Sequence, residues 1–139
     1  MARTKKRKYP KGVTFRIEAE EDQIPVRGNA MASGDDDEDK KYEDEIIDRL
    51  ERGDVWAWAA VTVIAEYEGF KGWDHLGGCS YKDERDFVKN SGYYEDMKSE
   101  AYDDLLSKMS AAGATLQKFK KSGGSLAKVN AEVRKALRR

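Results

Sequence analysis

The stretch VWAWAAVTVIAEYEGFKGWDHLGGCSY, residues 55–81, decides the fold. It is rich in β-branched and aromatic residues and is broken by glycines, and apolar side chains recur at every second position. Val55, Ala57, Ala59, Val61, Val63, Ala65 and Tyr67 share one face of a strand over Val55–Glu68, and Trp56, Trp58, Ala60, Thr62 and Ile64 share the other. With both faces apolar over its first half, the strand is expected to be central and covered on both sides there. Gly69-Phe70-Lys71-Gly72 reads as a turn, and Trp73–Tyr81 returns as a second strand. Gly77 and Gly78 weaken that strand and predict a bulge or a close backbone approach.

Outward from this hairpin the elements are less crowded. Tyr42–Arg52 carries Tyr42, Ile46, Ile47 and Leu50 at helical spacing, with acids at its start, Arg49 and Arg52 at its end and Gly53 as a stop. Val13, Phe15, Ile17 and Ala19 alternate with Thr14, Arg16, Glu18 and Glu20, which predicts a half-buried strand. Between them Glu21–Asp39, with Pro25, Gly28, Asn29 and Gly34, reads as a long loop. On the far side, Ser80 and Asp83 suggest a capped short helix over Lys82–Lys89. A longer helix from Tyr93 shows Tyr94, Met97, Ala101, Leu105, Met109, Ala112, Leu116 and Phe119 on one face, with Gly113 inside it. After Ser122-Gly123-Gly124, Leu126, Val129, Val133 and Leu137 outline a last amphipathic helix. The order implies an α+β fold: a small antiparallel sheet of about three strands with helices on one face, plus a C-terminal helical extension. The expected domains are a flexible basic arm at 1–12, an acidic body at 13–110, and a basic extension at 111–139 with a Ser-Gly-Gly hinge at 122–124.

Charge divides the 139-residue chain more sharply than its formal net charge of -1 suggests. Residues 1–12 carry +6, residues 13–117 carry -14 and residues 118–139 carry +7. Mean hydropathy is -0.87. The longest apolar run, Val55–Ala65, is too short for a bilayer, which needs about 20 residues. No apolar segment follows the basic N-terminus, so no secretory signal is expected. A single thiol, Cys79, excludes an internal disulfide and fits a reducing compartment such as the cytoplasm.

Sites of chemistry are hard to find in this sequence. A calcium loop beginning at Asp35 would need glycine where Lys40 stands and glutamate where Ile46 stands. His75 and Cys79 fall on one face of the same expected strand but about 13 Å apart, too far for a nucleophile and its base. No phosphate loop, dinucleotide fingerprint or zinc spacing occurs, and neither a cofactor nor a catalytic residue is expected. Trp56, Trp58 and Trp73 fit sheet packing, with an interface or a stacking platform as the alternative.

Ile24–Asp36, Gly53–Ala59, Leu76–Tyr81 and Gly92–Lys98 together resemble a group of short proteins of unknown activity encoded in bacteriophage, prophage and plasmid genomes. The likeness covers residues 24–109 and implies a mobile-element accessory protein; it carries no catalytic residues. Acids concentrate in Asp35–Asp48, where like charges repel unless something offsets them. Asp35, Asp36, Asp37, Glu38, Asp39, Glu43 and Asp44 are therefore the expected face for a host protein, in the sharpest form a DNA-handling or defence complex inhibited by charge mimicry. The competing reading is nucleic-acid binding, in packaging or an architectural role, with Lys5, Lys6, Arg7, Lys8, Arg134, Lys135, Arg138 and Arg139 on phosphates. The same bases could instead fold back on the acidic body. The last helix could join two copies into a homo-oligomer.

Overall fold

Tyr67 and Phe70 flank a two-residue turn, Glu68-Gly69, in which both residues have positive φ, 45° and 84°. That is the hairpin turn whose twist matches right-handed strands, and glycine makes its second position easy. It joins β2 (Ala59–Tyr67) to β3 (Phe70–Cys79) in antiparallel register. β1 (Thr14–Glu21) pairs with the other edge of β2, from Thr14↔Glu66 to Glu21↔Ala59, giving the order β1-β2-β3. Around the sheet stand α1 (Asp36–Glu51), a 3-10 turn (Val55–Ala57), α2 (Glu84–Asn90) and α3 (Tyr94–Lys121). This is the expected α+β fold with a three-stranded antiparallel sheet. The computed structural model describes residues 6–125 together with 127, 130, 131 and 135. The last helix expected over Leu126–Leu137 therefore lies outside the described residues, apart from isolated positions.

The chain forms two units, divided between Leu105 and Leu106. In the first, Val61, Val63 and Ala65 are wholly buried on the face of β2 that continues into Phe15, Ile17 and Ala19 of β1 and Gly72 of β3. α3 lies on this face. A Cβ at Gly72 would come within 2.1 Å of Leu105 N and 2.3 Å of Ala101 O, so helix and strand backbones touch there. Met97, Ala101, Tyr102 and Leu105 are buried from α3, and Phe87 of α2 packs between Trp56, Tyr81 and Tyr94. A smaller cluster of Val26, Ile46, Ala57 and Trp58 seats α1, with Tyr42, Ile47 and Leu50 beside it.

The second unit begins at Leu106 and holds the rest of α3, which runs through Gly113 as the pattern predicts. Gly123 (φ 98°) and Gly124 close the helix: Gly123 N donates to Lys120 O and Gly124 N to Phe119 O, at 3.2 and 2.9 Å. This is a Schellman cap, so the stretch expected as a hinge is hydrogen-bonded onto the helix end.

Several expectations are corrected. Val55–Ala57 is not strand, because Asp54 accepts from Trp56 N and turns the chain before β2 begins. Trp58 is buried, its Nε1 donating to Ile24 O at 2.7 Å. The opposite face of β2 is only half covered at Ala60 and Thr62. The turn expected over Gly69–Gly72 is Glu68-Gly69, and Phe70–Gly72 are already strand. The cap of α2 is Asp83, which accepts from Asp86 N, and not Ser80. The expected bulge is present: register jumps between Ala59↔Cys79 and Val61↔Leu76, leaving Gly77 and Gly78 opposite one residue. It reverses the faces beyond it, so Cys79 turns into the core while His75 stays exposed.

In the described part of the basic arm, Arg7 and Tyr9 are not free in solution. Arg7 donates to Ser99 Oγ and Asp103 Oδ1, both at 2.9 Å, and its guanidinium lies 4.7 Å from the Tyr102 ring centroid. Tyr9 stacks edge-on against Phe15 and Tyr102. Aromatic packing and a charge-assisted hydrogen bond hold Arg7 and Tyr9 on α3, where composition alone predicts a flexible arm.

Candidate functional site

The acidic run begins where α1 begins. Asp35 is the N-cap, its Oδ1 accepting from Asp37 N at 3.1 Å and Glu38 N at 3.2 Å. Asp36, Asp37, Glu38 and Asp39 form the first turn, where the helix dipole favours negative charge. The loop expected to reach Asp39 thus ends at Asp35, because an Asp-rich run after Ser33-Gly34 supplies a helix start.

Four of the seven candidate acids hold the molecule together. Asp35 caps the helix. Asp39 accepts from Ser33 Oγ at 2.6 Å and from Ser33 N at 3.1 Å, closing the loop onto the first turn. Glu43, 7% exposed, accepts from Gly28 N at 2.6 Å and faces Arg27 at 3.5 Å. Gly28 has a φ of 81°, so the turn that aims its N–H at Glu43 favours glycine. Arg27 also pairs with Asp44, whose hydrogen bond raises the guanidinium pKa above its ordinary value. Arg27 is the one base between Glu21 and Asp39, and that isolation was the signal in the sequence for this clamp.

The other three, Asp36, Asp37 and Glu38, are exposed and have no side-chain partner among the described residues. Along the same helix a shallow cleft of about 440 Å³ is lined by Asp37, Lys40, Lys41, Asp44, Glu45 and Asp48. Its polar rim and its two lysines suit surface contact better than enclosure of a small molecule.

The basic candidates are only partly described. Lys5, Arg134, Arg138 and Arg139 lie outside the described residues; Lys6, Lys8 and Lys135 are exposed, and Arg7 is engaged by Asp103. Burial first, and the nearby Asp22 carboxylate second, push the Cys79 thiol up to about 11, which keeps it protonated and unreactive at neutral pH. The His75 ring meets Thr62 Oγ1 at 2.8 Å, away from Cys79. Among the described residues, no three His, Cys, Asp or Glu side chains are grouped to hold a metal ion, and no helix is long and apolar enough to cross a membrane. Set against known proteins, the chain matches no protein-family model, no curated protein and no solved structure.

Proposed function

We propose that the protein is a non-enzymatic accessory protein of a bacteriophage or other mobile element, acting in the cytoplasm of a bacterial host by docking the first turn of α1 on a basic surface of a host protein. The observation that carries this reading is the division of labour within the acidic run. Asp35, Asp39, Glu43 and Asp44 are tied into the fold, while Asp36, Asp37 and Glu38 stand exposed beside them on a capped helix end. Charge fixed on a rigid element loses little entropy on binding and steers encounter with an oppositely charged surface. A basic groove that normally receives nucleic acid fits such a surface, which makes inhibition of a DNA-handling or defence complex by charge mimicry the sharpest form of the reading. The likeness over residues 24–109 supports the mobile-element origin.

The test compares wild type with the variant Asp36→Asn, Asp37→Asn, Glu38→Gln as baits in a bacterial lysate at low and high salt. A host protein held by wild type, released by salt and lost from the variant is expected, with the variant melting within a few degrees of wild type. Equal capture by both baits at low salt would overturn the reading. Duplex DNA binding lost on Lys6→Ala with Lys8→Ala would instead favour the nucleic-acid role of the basic ends.

A further inference from the structure

The two edges of the sheet are finished differently. Asp22 N donates to Trp58 O at 3.0 Å in line with the β1–β2 register, so the even-numbered residues of β1 direct their N–H and C=O groups at β2. Phe15, Ile17 and Ala19 direct theirs outward. On β3 the outward line is interrupted: Trp73 N donates to Asp104 Oδ2 at 3.0 Å, and the bulge at Gly77-Gly78 breaks the register. β1 has none of these devices. Its register runs unbroken for eight residues, it holds no proline, and among the described residues nothing accepts from its outward N–H groups. Such an edge is a template for another strand.

The side chains of β1 select that strand. Phe15, Ile17 and Ala19 are half-exposed, although the residues paired with them, Ala65, Val63 and Val61, are wholly buried. The opposite face carries Arg16, Glu18 and Glu20. When two β1 strands meet antiparallel, outward groups must face outward groups, so only registers that keep odd residues opposite odd residues form. Centring the two-fold axis on Ala19 sets Glu18 against Glu20, centring it on Glu18 sets Glu18 against its own copy although Arg16 then faces Glu20, and centring it on Arg16 sets base against base. Centring it on Ile17 sets Arg16 against Glu18 of the second copy and Glu18 against its Arg16. It also lays Phe15 beside Ala19 and Ile17 beside Ile17 on the apolar face. Opposite charges directly across an antiparallel pair stabilise it, and like charges destabilise it.

We propose that β1 joins β1 of a second copy of this chain about Ile17, making one continuous six-stranded sheet with a two-fold axis. The contact is isologous, so it closes at two copies. Arg16, which bridges Glu18 and Glu66 within its own chain, then also faces the second copy's acid.

Sedimentation equilibrium of the full chain, with amide exchange read residue by residue, tests this. Wild type is expected to dimerise, and the amides of Phe15, Ile17 and Ala19 to gain protection as concentration rises. Arg16→Glu or Glu18→Arg alone places two like-charge pairs across the axis and should weaken the dimer about tenfold or more. The double exchange Arg16→Glu with Glu18→Arg should restore most of the affinity, a rescue that a merely misfolded variant does not give. A chain that stays monomeric at millimolar concentration, a dimer whose protection lies outside β1, or failure of the double exchange to rescue a folded protein would overturn the proposal.

Discussion

At Gly72, where α3 crosses β3, no side chain separates the helix backbone from the strand backbone, and the contact is completed by Ala101 and Leu105. Around α1 the connections instead run through charged side chains: Glu43 to Gly28, Arg27 to Asp44, and Arg49 to Asp54 and Tyr81 O. The first attachment depends on shape and leaves no room for a methyl group. The second depends on hydrogen-bond donors and acceptors, and tolerates changes of shape better than changes of polarity. Their different failure modes explain why apolar periodicity identifies α3 readily, while the start of α1 is concealed in a run of acids.

The largest expected effect tests the shape-dependent attachment. Gly72→Ala brings a Cβ against two backbone atoms that cannot rotate away, so α3 must shift. We expect a loss of about 3 kcal/mol, the upper end of overpacking, and a melting temperature lower by on the order of 10 °C or more. A variant that melts like wild type would mean that α3 is not seated so closely. The polar attachment should break more mildly. Glu43→Ala removes the acceptor of the part-buried Gly28 N–H, at about 1 kcal/mol, whereas Glu43→Gln keeps an acceptor and should lose less. Urea melts of the two variants, with exchange at the Gly28 amide, separate a lost hydrogen bond from a lost charge. The cap should give an effect no larger. Asp35→Ala should cost about 1 kcal/mol and Asp35→Ser much less, measured by thermal melting. Equal losses for both would show that the charge at Asp35, and not its capping oxygen, holds the helix.

Much of the fold could be read in the sequence because local patterns and tertiary needs coincide. The alternation through Val61–Ala65, the Gly77-Gly78 bulge and the stripe from Met97 to Leu105 each describe one face of one element, while the stripe's continuation to Phe119 marks helix without a matching core. The misreadings have specific causes. Val55–Trp58 is as apolar as a strand, but the Asp54 side chain and the Trp58 indole bond to groups that make it a turn. Gly77-Gly78 predict the bulge but not its effect on side-chain direction, which reverses Cys79 relative to His75, since one extra residue moves everything beyond it to the other face. Arg7 and Tyr9 look solvated locally and are held by Tyr102 and Asp103, far along the chain. The candidate acids were found as a set, but composition does not distinguish Glu43, buried against Gly28, from the exposed Glu38.

The connections between strands also set an order of assembly. β2 and β3 are separated only by Glu68 and Gly69, and a hairpin of this kind zips within microseconds. β1 reaches β2 only when the long segment containing α1 has been gathered in, a closure that non-local pairing must await. On a ribosome the sequence of events is inverted: β1 emerges first and has no strand to join until β2 follows. Throughout that interval Arg16, Glu18 and Glu20 keep the alternating Val13–Ala19 segment hydrated, so the charges that face solvent in the finished sheet also serve the solubility of the nascent chain.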